Sequence, residues 1–573
     1  MEAQLVPGAA AKQPAKRAAS AALVGLAVFG LVLFAGARLQ AGAPAVELDA
    51  NELKSHAHAT DESSSKVSAT LTYEDFTAYA SVKEYLRDYA GVSKDDWSTY
   101  DDLEIYVPRE ITVDLDVDRV AGSIGTAAVE GHVFWGLTYS GSNDFSAAYL
   151  IVMDLRGKLK QLSPVYGKYM LDNGYTVSDD KDVKRRMFQP LGLKMFNSSH
   201  VLLALSDDGT SGPRALWDWK EDTWTSLCEG ESGDSHDIQW AYEDAAIWQV
   251  DGTTKVEEIA VSSNENLAHF AEEKVQDPNH CQATEKDTQF YISSRQTNSI
   301  IKMNVNGTVE YTLGGEYGDY KIVEYDGTVY KAGDVVWSGQ HNAEYFGEDE
   351  FCMFDNQEET YAIYDESRML CVKLEDYKET KRGYVSFSYF LGEYTPHFGD
   401  NDRLTTGNQL GIFWADKIKV HDQYSVRAIE VARNTSEIAW ELKVYGAKCS
   451  AGQDKGDSTC SGKRYCSNPG GGWYAYSIER VYEAPIVANV RCDGTTITFD
   501  AYNTFKQMNT FPGTYTITAA VGDDDDGTVT GDFDFEAHWR AASVSVDVPF
   551  DTSSAEITIT NQFGESTTAA TGC

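Results

Sequence analysis

The chain has 573 residues, too many for one small domain and enough for roughly three or four. Its 48 Lys and Arg against 89 Asp and Glu leave a net charge of −41, which excludes nucleic acid as a partner and an anionic lipid surface as a docking place. Apolar residues reach 42%, enough for packed cores, and 33 Tyr with 12 Trp favour β architecture.

Lys12, Lys16 and Arg17 precede an uncharged run from Ala18 to Ala37, close to the roughly 20 residues that span a bilayer. Ala41-Gly42-Ala43 supplies a small-x-small cleavage site just beyond. The chain is therefore expected in the secretory pathway, held as a type II membrane protein through residues 18–37 or cut and secreted. Residues 1–65 read as this segment plus a linker. Residues 66–118 are predicted to hold one helix, because Phe76, Tyr79, Val82, Tyr85 and Leu86 recur at helical spacing between Tyr73 and Tyr89.

From residue 119 the character changes to short β runs closed by glycine-bearing turns. Ala148 to Asp154 before Gly157, Ala245 to Asp251 before Gly252, and Ser299 to Asn304 before Gly307 are examples. Tyr320 to Asp326 before Gly327 continues the pattern. Recurrence at roughly 40 to 60 residues fits propeller blades, and residues 119–484 are predicted to be a β-propeller. Around Tyr482 to Pro485 the pattern resets. Period-two runs over residues 485–573 predict an Ig-like or fibronectin-like β-sandwich.

Nine cysteines fit an oxidising compartment, with disulfides as the default. Cys449, Cys460 and Cys466 crowd an insertion, Cys352 and Cys371 lie on neighbouring strand patterns, and Cys492 with Cys573 brackets the last domain. None has a zinc-site spacing, and no metal is expected. Sequons at Asn197, Asn306 and Asn434 are compatible with glycosylation.

Three histidines stand out in this strand-rich stretch: His236 before Asp237, His280 after Pro278-Asn279, and His341 between Gln340 and Asn342. Each alone could merely satisfy a loop backbone. Brought together with Arg295, which closes the run from Phe290, they suit an anionic group such as sulfate or phosphate.

Asp277-Pro278-Asn279-His280 leading to Tyr291 through Asn304, then Leu313-Gly314-Gly315, resembles the aryl sulfate sulfotransferase family, the nucleotide-independent arylsulfotransferases. Gln340 to Phe346 with Phe351 to Asn356 resembles that family's nucleophile hairpin, and His236-Asp237-Ile238 its earlier histidine site. Phe398 to Leu410 and Tyr476 to Arg480 resemble its closing blades. The resemblance covers roughly residues 120 to 484. It implies an all-β, six-bladed propeller and a ping-pong reaction through a sulfated histidine, with no cofactor. A phenolic sulfate would be the donor and a phenol the acceptor. His341 would be the nucleophile, Arg295 would bind sulfuryl oxygens, and His236 and His280 would complete the pocket. Asn342 and Gln282 depart from the family's usual Asp and Asn, yet keep hydrogen-bonding capacity towards substrate. A neutral imidazole can itself hold a sulfuryl group as a labile N–S bond. Tyr345, Phe346, Trp337 and Trp414 are candidates to line a phenol pocket, with blade packing as the competing role. Two alternatives stay open: a non-catalytic propeller that binds sulfated ligands or proteins, and a zinc enzyme, which the charge of Arg295 opposes.

Overall fold

Tight turns cut the middle of the chain into short strands, and these pair mostly with their sequence neighbours. The computed structural model describes residues 65–93, 103–140, 145–176, 183–207, 211–228, 233–242, 246–251, 255–261, 265–271, 274–358, 361–376, 378–418, 423–446, 466–467, 472–521 and 525–573. Over these residues the protein is all-β with short helices only, consistent with a propeller-like fold. The predicted membrane segment, residues 18–37, lies outside the described residues. Among the described residues no helix is long and apolar enough to cross a membrane.

Six sheets follow one another. The first pairs Gly131–Ser140, Phe145–Asp154 and Leu159–Pro164 with two late strands, Gly472–Tyr474 and Ile478–Tyr482. The second runs from Gln189–Met195 to Thr223–Leu227, the third from Ile238–Trp240 to Asn266–Ala271, and the fourth from Pro278–Thr284 to Val309–Leu313. The fifth begins at His341–Tyr345 and ends beyond Arg382–Phe390 with Lys321–Val323 and Val329–Tyr330. The sixth contains Asp402–Arg403, Gln409–Trp414, Val426–Ala432 and Glu437–Tyr445. Each sheet packs against the next, and Gln409–Trp414 of the sixth meets the late strands of the first, so the sheets close a ring.

The segment expected to hold one helix does more. Its strands Lys66–Thr72 and Glu110–Asp116 extend the sixth sheet outward from Glu437–Tyr445. The helix predicted over Tyr73–Tyr89 is two helices, Tyr73–Ala78 and Ala80–Asp88, broken at Tyr79, whose ψ of 130° is extended. The first is capped by Thr72 in a capping box with Asp75 and stays with the sixth sheet. The second crosses to the first sheet, where Ser81 Oγ donates to Leu162 O at 2.8 Å and Tyr85 bonds Ser146. One straight helix could not reach both.

Beyond residue 485 a sheet of Ile486–Asp493, Thr496–Tyr502 and Ala542–Asp547 faces one of Asp525–Phe535, Phe511–Val521, Glu556–Thr560 and Ser566–Ala570. They share a core that includes Ile497, Phe499, Ile517, Phe535 and Ile557, so this unit is a two-sheet sandwich. Cys492 is bonded to Cys573 across 81 residues, as the bracketing predicted, and Cys352 to Cys371 on paired strands. Cys228 and Cys281 are buried, and Cys281 keeps a free thiol. Cys449 and Cys460 lie outside the described residues.

Candidate functional site

The site is built where the fourth, fifth and sixth sheets begin, and each beginning is irregular. Pairing slips between Pro278 and His280, leaving Asn279 as the extra residue. On the next sheet His341 faces Phe354 while Glu344 faces Cys352, so three steps on one strand match two on the other. Asn342 carries the bulge in a left-handed conformation (φ 43°), which asparagine tolerates. Residues three apart on a regular strand point to opposite faces. The extra residue turns His341 and Glu344 to the same buried side. Before the sixth sheet Phe398 has φ 68°, a rare conformation for a bulky residue, and Gly399 follows at 104°, where a Cβ would strike the Phe354 ring at 2.5 Å. Asn279 Nδ2 donates to Gln340 O at 2.6 Å and Asn342 Nδ2 to Gly399 O at 3.4 Å, tying these entries side to side.

His341 is buried, with ring centroids of His236, Phe398 and Tyr476 at 6.4, 6.1 and 5.8 Å. Asn356 Nδ2 donates to Thr395 O and Phe398 O at 2.9 Å each, which turns its Oδ1 towards His341. His341 Nδ1–H therefore donates, to Asn356 Oδ1 at 2.8 Å and Gly339 O at 3.0 Å. A proton fixed on Nδ1 leaves Nε2 with a free lone pair. Burial pushes the imidazole pKa well below its usual value, and the positive charge of Arg295 pushes it the same way. The ring is neutral at pH 7.

His236 lies in the loop before the third sheet. Its backbone N–H and its Nδ1–H both donate to Asp234 Oδ1, at 2.9 and 2.6 Å. Burial disfavours its imidazolium, but the bond to Asp234 and that carboxylate's charge outweigh burial, and the pKa is raised. Arg295 Nη1 donates to Asp277 Oδ2 at 2.9 Å and Nη2 to Glu358 Oε1 at 3.4 Å. These carboxylates orient the guanidinium without exhausting its five donors, and its buried Nε has no partner among the described residues. After burial, Arg295 is the next cause holding His397 down, to about 4.

Phe398 and Tyr476 wall this pocket, with centroids 4.9 Å apart, and Tyr476 Oη donates to Asn279 O at 3.2 Å. The aromatic residues singled out by position are packing groups instead. Trp337 and Phe346 are fully buried among strands, Tyr345 stacks on Tyr291 at 4.5 Å, and Trp414 stands behind His397 at 4.9 Å. Gln282, expected to meet substrate, serves the framework. Its Oε1 accepts from Tyr345 N at 2.6 Å, and its Nε2 donates to Tyr345 O at 2.9 Å beside Met508 and His538. Asn342 likewise holds Gly399 and shapes the bulge.

His236, His341 and Arg295 are thus brought together, but His280 belongs to a second group of residues. Its Nδ1 is 3.1 Å from Asp237 Oδ2 and its Nε2 3.8 Å from Glu344 Oε1, and neither nitrogen makes a well-directed hydrogen bond. Burial lowers its pKa against the pull of Asp237 and Glu344, and Lys194 and Lys506 add to the lowering. Lys194 pairs with Glu344 and lies 3.4 Å from Glu479. Lys506 donates to Glu344 Oε2 at 2.7 Å and to Asp402 Oδ2 at 2.6 Å. Beside them burial raises the Asp400 carboxyl to about 7. Among the described residues no group of three His, Cys, Asp or Glu side chains is arranged to hold a metal ion. Sequence reasoning missed Asp234, Asn356, Lys194 and Lys506. Asp234 and Asn356 stood within or beside quoted motifs, whereas nothing marked the two lysines.

An all-β ring holding an oriented, neutral imidazole beside a guanidinium and a carboxylate-held histidine defines a protein equipped for group transfer from an anionic donor. Residues 277–452, from the fourth sheet into the insertion after the sixth, match the family model described as arylsulfotransferase (ASST). This match supports arylsulfotransferase family membership, over that stretch of the chain. The match takes in His280, Arg295, His341 and Asn356, while His236 and Tyr476 fall outside it. No curated protein matches the chain. Among solved structures, a chain from a crystal structure of a nidogen/laminin complex is 9% identical, covering 55% of this chain and 97% of that one at a TM-score of 0.30. A likeness at that level carries no argument.

Proposed function

We propose that this protein moves a sulfuryl group from a phenolic sulfate ester to a phenol in two steps, through a sulfated His341. The family domain supports arylsulfotransferase activity in general. The observation that carries the finer reading is the neutral His341 ring, its Nδ1–H held by Asn356 and Gly339 so that Nε2 is the nucleophile. In the first step Nε2 attacks sulfur, an N–S bond forms, and the S–O bond to the aryl group breaks. The leaving phenolate takes its proton from His236, which Asp234 keeps readily protonated. In the second step the acceptor oxygen attacks sulfur, its proton passes to His236, and the N–S bond breaks. By analogy with phosphoryl transfer, negative charge in the transition state sits on the peripheral oxygens, beside the free donors of Arg295. Phe398 and Tyr476 offer faces to a phenyl ring.

The six closed sheets read as six blades spanning residues 119–484 with the two strands from 66–118, and residues 485–573 as an Ig-like or fibronectin-like sandwich. Two disulfides, and the sequon residues Asn306 and Asn434 on exposed turns, support passage through the secretory pathway, anchored by or cleaved near residues 18–37. The test of the mechanism is mass spectrometry of enzyme treated with an aryl sulfate and no acceptor, in mild alkali. The expected product is a sulfated peptide containing His341 that a phenol discharges. Turnover with His341 never modified overturns the two-step reading.

A further inference from the structure

The sandwich does not hang from the ring; it is seated on it. Tyr482 N donates to Thr504 O at 2.8 Å, Lys286 N to Asn509 Oδ1 at 2.7 Å, and Ser198 bonds Glu565. Gln282, which spaces the fourth sheet from the fifth, reaches Met508 Sδ and His538 Nδ1. The segment between Thr496–Tyr502 and Phe511–Val521 therefore touches the first and fourth sheets, and from it Lys506 enters the ring.

Its ammonium is buried among groups from four separate elements. Glu344 of the fifth sheet, Asp402 of the sixth and Glu479 of the first lie at 2.7, 2.6 and 3.8 Å. Lys194 of the second sheet shares Glu344 and Glu479 with it, the Phe346 ring lies 5.5 Å below, and Asp400 stands beside Asp402. Glu344 is also the carboxylate against His280 Nε2, and Asp237, the residue after His236, is the one against His280 Nδ1. A row thus runs from the sandwich to the histidine pocket: Lys506, Glu344, His280, Asp237, His236.

We propose that Lys506 is a positioning residue of the histidine site, so that the C-terminal sandwich is a working part of the transferase. Two ammonium groups face five carboxyls here: Glu344, Glu479, Asp402, Asp400 and Asp237. Withdrawing one ammonium from a buried set leaves negative charge that is relieved by taking up protons. His280 is the base standing between two of those carboxylates. Once protonated it clamps Glu344 to Asp237, pulling on the loop that carries His236 and on the strand that carries His341. With Lys506 present, His280 stays neutral and the loop keeps its place.

The inference rests on the reading of His341 as nucleophile, and the experiment separates the two. The pH profile of kcat is measured with an aryl sulfate and a phenol for full-length wild type, Lys506→Met, Lys506→Arg, and the double variant Lys506→Met/Glu344→Gln. Lys506→Met should move the acid limb upward by about one pH unit, losing about tenfold in kcat near pH 6 and recovering by pH 8. Lys506→Arg should hold the wild-type limb. Because removing one partner of a buried pair also destabilises the fold, the double variant, which removes a charge of each sign, is the control that keeps the ring intact, and its limb should return towards wild type. A uniform loss at every pH that tracks melting temperature, or an acid limb unmoved in Lys506→Met, overturns the proposal. If His341→Asn is active in the same assay, the reading of the nucleophile fails instead.

Discussion

His341 and His280 are the same residue in nearly the same place on adjacent sheets. Each enters its strand over a bulge, each is buried, and burial lowers the pKa of each. Their partners differ. Two uncharged oxygens hold His341, whereas His280 stands between two carboxylates. A carbonyl orients an imidazole with little reward for its protonation; a carboxylate rewards protonation strongly. The charge of the acceptor, more than depth or backbone shape, separates the histidine we propose as nucleophile from a titratable neighbour. His236, bonded to Asp234 and raised in pKa, extends the contrast within the pocket itself.

The largest test of that contrast removes the proposed nucleophile. His341→Asn keeps size and polarity, and activity with an aryl sulfate should fall to background, by roughly 10⁴-fold or more, with melting nearly unchanged. Retained turnover would place the covalent step elsewhere. His236→Gln should cost about 10²–10⁴-fold, and less for donors whose phenols are acidic enough to leave unprotonated. Equal losses across a series of leaving groups would remove His236 from proton transfer.

Asn356→Asp tests the comparison most directly, because it gives His341 the kind of partner His280 has. His341 must be neutral to react, and its native pKa lies well below the usual value, so its acid loss is out of the working range. A carboxylate at position 356 raises that pKa, and activity is lost as pH falls through the raised value. About tenfold loss near pH 6 with little change near pH 9 is expected; a pH-independent loss would point to geometry alone.

The smallest effect concerns stability. His132, His397 and His538 are also held neutral, at about 4, about 4 and about 3, with burial the leading cause. Their unfolded value is near ~6.5, so the unfolded chain binds protons first as pH falls. Their contribution is full above ~6.5 and fades towards pH 4. Calorimetric scans should show Tm declining over that window, and His538→Gln should blunt the decline by a few degrees. A Tm constant from pH 7 to pH 4 would contradict neutral burial.

Much of the architecture was legible because strands here are short, turn-bounded and paired locally. The Asp-Gly and Asn-Gly turns marked the sheets, and period-two runs marked the sandwich. What could not be read is what the ring brings together over long distances. Lys66–Thr72 and Glu110–Asp116 carry no mark that assigns them to a sheet ending at Tyr445. Tyr79 has ordinary helical spacing, and only the need to reach two sheets breaks the helix there. His236, His341 and Arg295, which the structure brings together, stood out in the sequence because imidazole and guanidinium are chemically telling. Phe398 and Tyr476 look like any core aromatic, so their role waits on the backbone that aims them. Gln282 was misread for the opposite reason: a buried amide beside a functional histidine resembles a substrate ligand, yet Tyr345 satisfies both its ends.

The first sheet borrows its last strands from the far end of the ring, and Arg480 Nη2 bonds Ala128 O across 352 residues of chain. On the ribosome, His341 emerges long before Tyr476 and Lys506 do. Until those later residues arrive the first sheet has an unpaired edge, and the pocket lacks a wall and its underlying ammonium. Contacts this distant in sequence form slowly, so the histidine pocket is completed only after its late strands and Lys506 have been made.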